Sequence, residues 1–94
     1  EFEEAKGEVR YEGKPIELRL SERRLLGTLM RRSGNVVTKS AIEEALSQFG
    51  RELTANAVEA LVSRLRKALA DANADVSIET VRGVGYRLVE DPQR

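Results

Sequence analysis

Residues 80–88 are TVRGVGYRL, in which two glycines lie two positions apart between segments that alternate in polarity. The flanking segments VSIETV (76–81) and GYRLVE (85–90) show the period of two that is typical of strands. Glycine supplies the positive φ that a tight hairpin turn requires without a steric cost. The sequence therefore predicts a C-terminal β-hairpin that carries Arg82 at its tip.

A long helix is predicted just before this hairpin, over residues 55–70. Its apolar residues recur at spacings of four, three and four, which is typical of a buried seam: Val58, Val62, Leu65 and Leu69. Thr54 or Asn56 is the expected N-cap. The opposite side is expected to be exposed and carries small residues and two cations: Ala57, Ala60, Leu61, Arg64, Lys67 and Ala68.

Two shorter helices are predicted earlier in the chain. The first has an apolar stripe of Leu25, Leu26, Leu29 and Met30, and Ser21 is its expected N-cap. The second has an apolar face of Ala41, Ile42, Ala45 and Leu46. Thr38 or Ser40 is expected to cap it, since Ser40 and Glu43 have the spacing of a capping box.

The N-terminal region is predicted to form a small antiparallel sheet. Residues 7–20 alternate as two strands, and Phe2 is expected to begin a third. The order of sheet, three helices and hairpin indicates an α+β fold, a winged helix-turn-helix, with residues 1–94 as one domain. The predicted core is Leu25, Leu29, Ile42, Leu46, Val58, Val62, Leu65, Leu69, Ile78 and Leu88.

Composition excludes several classes of function. The chain of 94 residues has no cysteine and no histidine, so a thiolate zinc site and the commonest general base are absent. The adjacent carboxylates, Glu3-Glu4 and Glu43-Glu44, have no recognisable cleft or partner that would tune them for acid–base work. We therefore predict no catalytic residue, metal, cofactor or enzymatic activity. No apolar run has the length that spans a membrane.

Charge is balanced overall but unevenly distributed. Sixteen basic and sixteen acidic residues give a net charge of zero, which argues mildly against a nucleic-acid binder. Residues 1–22 carry a net charge of −3, however, and residues 23–50 carry +3. Because the field of a local patch matters more than the sum, a DNA-binding surface remains open.

Two basic features have DNA-binding interpretations and simpler alternatives. On the long helix, Arg64 is suited to a bidentate contact with guanine, and Arg66 and Lys67 to phosphates. The alternative is a solvated helix face. On the hairpin, Arg82 has the placement of a minor-groove probe, and the hydroxyls of Thr80 and Tyr86 suit phosphates. The alternative is a plain hairpin with Tyr86 packed on the body.

Three segments resemble the OmpR/PhoB-type effector domains of bacterial two-component response regulators: TVRGVGYRL (80–88), NAVEALVSRLRKAL (56–69) and GNVVTKSAIEEAL (34–46). The details are similar to the branch that contains QseB- and PmrA-type regulators. The resemblance implies a winged helix in the bacterial cytoplasm, associated with the nucleoid. It also implies an aspartate-phosphorylated receiver domain upstream, which this chain lacks. The start EFEEAKGEV, with no initiator methionine, is interpreted as a cut edge.

The resemblance also implies roles for particular residues. Helix 55–70 is the recognition helix for the major groove, and segment 80–87 is the wing for the minor groove. Loop 47–53 matches the loop presented to RNA polymerase, with Gln48, Phe49 and Arg51 as contacts. The predicted DNA-binding residues are Asn56, Ala60, Leu61, Ser63, Arg64, Arg66, Lys67, Thr80, Arg82 and Tyr86. The protein is expected to bind direct-repeat half-sites of double-stranded DNA as a homodimer.

Two positions depart from the family pattern. Leu61 stands where many members have a polar or aromatic group, and two effects of an exposed leucine are open: contact with a thymine methyl or a weaker affinity for DNA. Arg19 stands where a capping threonine often begins the first helix, which leaves the start of that helix open. The zero net charge and Leu61 also favour an alternative function, a winged helix that binds another protein with weak or no sequence-specific DNA binding.

Overall fold

The computed structural model describes residues 2–5, 8–32, 34–47 and 55–90. Within these ranges the elements, in chain order, are β1 (Phe2–Ala5), β2 (Glu8–Tyr11), β3 (Lys14–Ile16), α1 (Leu20–Arg31), β4 (Val37–Thr38), α2 (Lys39–Ser47), α3 (Ala55–Asp71), β5 (Val76–Val81) and β6 (Gly85–Glu90). The predicted sheet, three helices and hairpin are present in that order, with the third N-terminal strand, and the structure adds the short strand β4 between α1 and α2.

The N-terminal sheet is antiparallel in the order β1-β2-β3. Val9 lies opposite Ile16, and both are buried, so one face of this sheet packs on the helices. Tyr11 ties the sheet to the far end of the chain, because its hydroxyl oxygen accepts a hydrogen bond from the Asp75 backbone N–H at 2.9 Å. Burial raises the pKa of the Tyr11 phenol above its ordinary value.

Helix α1 begins at Leu20, so the prediction of Ser21 as its N-cap was wrong. Arg19 is the N-cap residue and has extended backbone angles. Its backbone N–H donates to Glu22 Oε1 at 3.1 Å, which is the half of a capping box that the acidic residue supplies. The physical reason is that the N-cap lies two residues before Ser21, and Glu22 satisfies the backbone amide at that position.

The second helix starts from a threonine. Thr38 Oγ1 accepts a hydrogen bond from the Ala41 backbone N–H at 3.1 Å, and of the two proposed caps it is therefore Thr38 that acts. Ser40 lies inside α2. Asn56 likewise lies inside α3, one residue after its start, and the other proposed cap of that helix, Thr54, falls outside the described residues.

The second sheet has the order β4-β6-β5 and contains the predicted hairpin. Its two glycines have different functions. Gly83 has φ +75° at the third position of a turn closed by a hydrogen bond from Val84 N–H to Val81 O at 2.9 Å. Gly85 instead permits a close approach: a Cβ there would overlap the Val37 carbonyl oxygen and lie 2.8 Å from Thr38 Cα.

All ten predicted core residues are buried in one cluster between the helices and the two sheets. The described residues add eight members to that cluster: Val9, Tyr11, Ile16, Leu26, Val37, Leu61, Ala74 and Tyr86. Leu61 and Tyr86 were predicted to be exposed DNA-binding residues. The core is thus wider than the helix seam alone, because both sheets close over it.

Candidate nucleic-acid interface

Helix α3 presents a regular exposed stripe opposite its buried seam. Asn56, Ala60, Ser63 and Lys67 recur at spacings of four, three and four, and all four are exposed. We call these four residues the outer stripe. Two of its side chains are small, one is an amide and one is a cation, so the helix backbone is accessible along this line. The structure places these four predicted DNA-binding residues at the surface.

Leu61 does not belong to that surface. It is only 3% exposed and joins the core cluster, so the prediction of a leucine facing DNA was wrong. The reason is geometric: Leu61 follows Val58 by three positions and precedes Leu65 by four, which places all three on one face of a helix. The full apolar face has the spacing i, i+3, i+4, i+7, and that spacing was present in the sequence.

One flank of the outer stripe faces α1 and carries Arg64. Its Nε–H donates to Glu22 Oε2 at 3.2 Å, and the side chains are 51% and 8% exposed, respectively. The other carboxylate oxygen of Glu22, Oε1, accepts the Arg19 backbone N–H. We call this arrangement the α1-side flank. The terminal guanidinium nitrogens of Arg64 have no hydrogen-bonding partner among the described residues.

The opposite flank faces the hairpin and carries Arg66. Its Nε–H and Nη2–H donate to the Ile78 carbonyl oxygen at 3.1 and 2.8 Å, and Nη2–H also donates to Thr80 Oγ1 at 2.8 Å. We call this arrangement the wing-side flank. Arg66 and Thr80, both predicted DNA-binding residues, are exposed and contact each other. Their hydrogen bonds join the recognition helix to the hairpin strand β5.

The tip of the hairpin projects an arginine. Arg82 and Val84 are exposed in the turn, and no hydrogen bond or ion pair within the described part of the chain holds the Arg82 side chain. The base of the same turn is fixed, because the Lys39 backbone N–H at the start of α2 donates to Val84 O at 3.3 Å. A rigid turn therefore carries an untethered cation.

Tyr86 corrects a second prediction. Tyr86 is 4% exposed and lies in the core cluster, so it packs on the body of the domain and is not an exposed residue of the wing. Tyr86 lies opposite Val37 in β4, which covers it. The alternative considered for the sequence, a hairpin with Tyr86 packed on the body, describes this residue. The outer surface of the hairpin carries an ion pair of Arg87 with Glu79 directly opposite.

Lys67 is an exposed cation of the outer stripe on α3. Its Nζ lies 3.1 Å from Asp71 Oδ2 one turn later, and the two side chains are 78% and 67% exposed. An exposed pair of this kind contributes little to stability, so Lys67 can exchange its partner for a phosphate at small cost. Within the described ranges, no group of three or more His, Cys, Asp or Glu side chains could hold a metal ion.

Sequence reasoning missed Glu22, which holds the guanidinium of Arg64 across 42 positions of chain. Its only local signal is its place three residues after the N-cap, which predicts capping and nothing more. Three predicted residues of the polymerase loop, Gln48, Phe49 and Arg51, lie outside the described residues. None of the helices in the described ranges is both long and apolar enough to cross a membrane.

The fold and the exposed face of α3 define the class of the protein: a winged helix-turn-helix with a recognition helix and a hairpin wing. Residues 13–88 match the family model described as "Transcriptional regulatory protein, C terminal". The chain belongs to this family, which comprises the DNA-binding domains of OmpR/PhoB-type response regulators. The family and the α+β fold class predicted from the sequence are both confirmed.

Individual relatives agree with this assignment. The transcriptional regulatory protein QseB of Escherichia coli O157:H7 is 44% identical over 78 residues, which cover 83% of this chain and 34% of QseB. The C-terminal domain of the nisin resistance regulator NsrR, a lantibiotic response regulator, superposes with a TM-score of 0.78 at 31% identity, covering 93% of this chain and 89% of that domain.

A third similar protein was solved with a nucleic acid. The RstA DNA-binding domain of Klebsiella pneumoniae, in complex with the RstA box, has a TM-score of 0.71 at 27% identity and covers 87% of this chain and 82% of that one. The chain spans about a third of the length of the curated relatives it matches.

Proposed function

We propose that this domain binds double-stranded DNA in a sequence-specific manner, with α3 in the major groove and the hairpin tip in the minor groove. The observation that carries the proposal is the outer stripe, a line of small and polar side chains that opens the α3 backbone to close approach. The major groove admits a helix of this kind. Membership of a family of transcription regulators supports the same reading.

Each exposed residue has a role in this proposal. Arg64 reaches a guanine with its two terminal nitrogens, and Lys67 and Ser63 contact phosphates or the groove edge. Ala60 and Asn56 let the helix backbone come close. Arg82 enters the minor groove, where the potential of A·T-rich DNA is most negative. Arg66 and Thr80 act indirectly, since their mutual hydrogen bond sets the wing relative to the helix.

The regulatory setting is part of the same proposal. The domain is the output unit of a phosphorylation-controlled response regulator in the bacterial cytoplasm, with a receiver domain upstream. It binds direct repeats as a homodimer, and loop 47–53 contacts RNA polymerase. A domain with a net charge of zero is expected to bind a single half-site modestly. Pairing through the receiver domains raises the effective concentration of the second domain and supplies the remaining affinity.

The burial of Leu61 weakens the alternative function. An exposed leucine on α3 was one of two reasons to expect a protein-binding surface there, and that leucine is in the core. The remaining reason, the balanced charge, is compatible with DNA binding, because the field at a local patch matters more than the net charge of the chain.

Selection from random duplex DNA with this domain, followed by sequencing of the bound pool, tests the proposal. We expect like-oriented half-sites about one helical turn apart, each beside an A·T-rich step. Arg82→Ala should remove the A·T-rich step and keep the rest. Arg87→Ala is the matched control, since Arg87 is paired with Glu79, and it should leave the consensus unchanged. A flat pool at low salt and high protein would contradict the proposal.

A further inference from the structure

We propose that Glu22 is a positioning residue for DNA recognition: it orients the guanidinium of Arg64 so that the two terminal nitrogens face the base edges. This inference rests on the proposed function and deepens it. Glu22 lies on α1, outside the recognition helix and the wing, and it is the buried charged residue of the described structure.

Both oxygens of Glu22 are engaged by donors from different elements. Oε1 accepts the Arg19 backbone N–H at the start of α1, and Oε2 accepts Arg64 Nε–H from α3. The Glu22 side chain is 8% exposed, so few water molecules can replace these two donors. A carboxylate held at one oxygen by a helix start and buried at its sides has a fixed direction. Its second oxygen therefore presents a fixed acceptor to Arg64.

The geometry leaves the recognition atoms of Arg64 available. A guanidinium carries five N–H donors in a plane, and a bidentate contact with guanine O6 and N7 uses one from each terminal nitrogen. Glu22 takes only Nε–H, which lies on the other edge of the plane. Holding Nε therefore fixes the plane of the Arg64 guanidinium and the direction in which its two terminal nitrogens point. Rotamer freedom of Arg64 is then lost on folding rather than on binding.

The charges predict a distinctive consequence. The carboxylate of Glu22 offsets the positive charge of Arg64, so Arg64 adds little to the attraction for any phosphate backbone. Loss of Glu22 should therefore leave binding to random DNA unchanged or stronger, while binding to the selected site weakens. A residue needed only for folding would lower both affinities together.

Glu22→Gln is the main variant, because it keeps the shape and removes one acceptor. Its amide oxygen can still accept the Arg19 N–H, but the NH₂ group then faces the Nε–H donor of Arg64. We expect the ratio of selected-site to random-DNA affinity to fall by about tenfold, within the range that one bidentate base contact supplies. The loss should concentrate at one base position of the selected site.

Asp71→Asn is the matched control. Like Glu22→Gln it removes one negative charge beside an α3 cation, but Asp71 and Lys67 are both largely exposed and set no orientation. We expect this control to strengthen binding to all sequences alike and to leave the ratio unchanged. A ratio that falls equally in both variants would attribute the effect to net charge and would overturn the positioning role.

A second variant and a double-mutant cycle cover the case in which Glu22→Gln unfolds. Glu22→Asp keeps the charge and a carboxylate for the cap, but it is one methylene too short to hold both partners, so the ratio should again fall. In an Arg64→Ala background neither Glu22 substitution should lower the ratio further. Thermal unfolding of each variant shows the fraction folded at the temperature of the binding assay.

The outcomes separate the inference from the function on which it rests. A flat pool for the wild-type domain contradicts sequence-specific binding, and the role of Glu22 falls with it. A clear wild-type consensus with the same ratio for Glu22→Gln and Glu22→Asp overturns the role of Glu22 alone. A further loss of the ratio in the Arg64→Ala background would also overturn it, because Glu22 would then act through another residue.

Discussion

The two flanks of α3 show how one residue type takes different functions two positions apart. On the wing-side flank, Arg66 uses Nε and Nη2 on the Ile78 carbonyl and on Thr80. On the α1-side flank, Arg64 uses Nε alone, on Glu22. Arg66 thus uses two of its nitrogens within the fold, whereas Arg64 is held through Nε and keeps both terminal nitrogens available.

The contrast follows from what lies beside each flank. Strand β5 offers a backbone carbonyl at its edge, and an uncharged acceptor with a neighbouring hydroxyl suits several donors at once. Helix α1 offers a carboxylate that already serves the helix start, so only one oxygen remains for Arg64. We infer that the wing-side flank sets the position of the wing and that the α1-side flank sets the direction of a base contact.

The largest expected effect is a loss of stability when a substitution displaces the wing, which carries the partners of Arg66. Gly85→Ala places a Cβ against the Val37 carbonyl, and this backbone atom cannot move aside without separating β4 from β6. We expect a loss of about 3 kcal/mol or more in the free energy of unfolding, measured by urea denaturation.

Gly83→Ala is the control in the same hairpin. Nothing lies within 4 Å of a Cβ at Gly83, so only its positive φ is unfavourable for alanine. A loss of about 1–2 kcal/mol is expected there. If both substitutions cost the same, the close approach of β4 to β6 is not what requires Gly85.

Arg66→Ala and Arg64→Ala should have different effects on DNA binding, which distinguishes the functions of the two flanks. Arg66→Ala removes charge-assisted hydrogen bonds, so it should lower the free energy of unfolding by about 1.5–3 kcal/mol and weaken binding to every DNA sequence. Arg64→Ala leaves one oxygen of the buried Glu22 carboxylate without its donor and should cost about 1–3 kcal/mol of stability. Unlike Arg66→Ala, it should also lose about 1–3 kcal/mol of discrimination at one base position.

Urea denaturation and binding to selected and random duplexes measure the two quantities for both variants. Thr80→Val provides a milder version of the first variant, because it removes one of the acceptors of Arg66 and retains the Ile78 carbonyl. The comparison fails if Arg64→Ala weakens selected and random DNA equally, or if Arg66→Ala leaves stability unchanged.

The same contrast explains what the sequence could predict. The seam of α3 and the hairpin were predictable because helix and strand periods are local. The burial of Leu61 was also predictable, since its spacing from Val58 and Leu65 is that of one helix face. The burial of Tyr86 depends on β4, which is only two residues long and pairs with β6 across the fold.

The partners of the arginines were beyond local patterns. The bond of Arg66 to Ile78 crosses 12 positions and requires the docking of a hairpin on a helix. The bond of Arg64 to Glu22 spans 42 positions and joins α3 to α1. A sequence shows which arginines of α3 lie outside its buried apolar seam. The number of N–H donors that each arginine can offer to DNA depends on tertiary packing.

The smallest expected effect comes from a substitution in the outer stripe, which lies between the two flanks. Lys67→Ala should reduce the slope of log affinity against log salt by about 0.9, the value for one phosphate contact on duplex DNA, and should weaken selected and random sequences alike. Stability should change by only about 0.3–0.5 kcal/mol, since the pair with Asp71 is an exposed i,i+4 contact. Lys67→Arg keeps the charge and should keep the slope. An unchanged slope for Lys67→Ala would place Lys67 outside the interface, and the groove contact would then depend on the α1-side flank and the wing tip rather than on the line between the flanks.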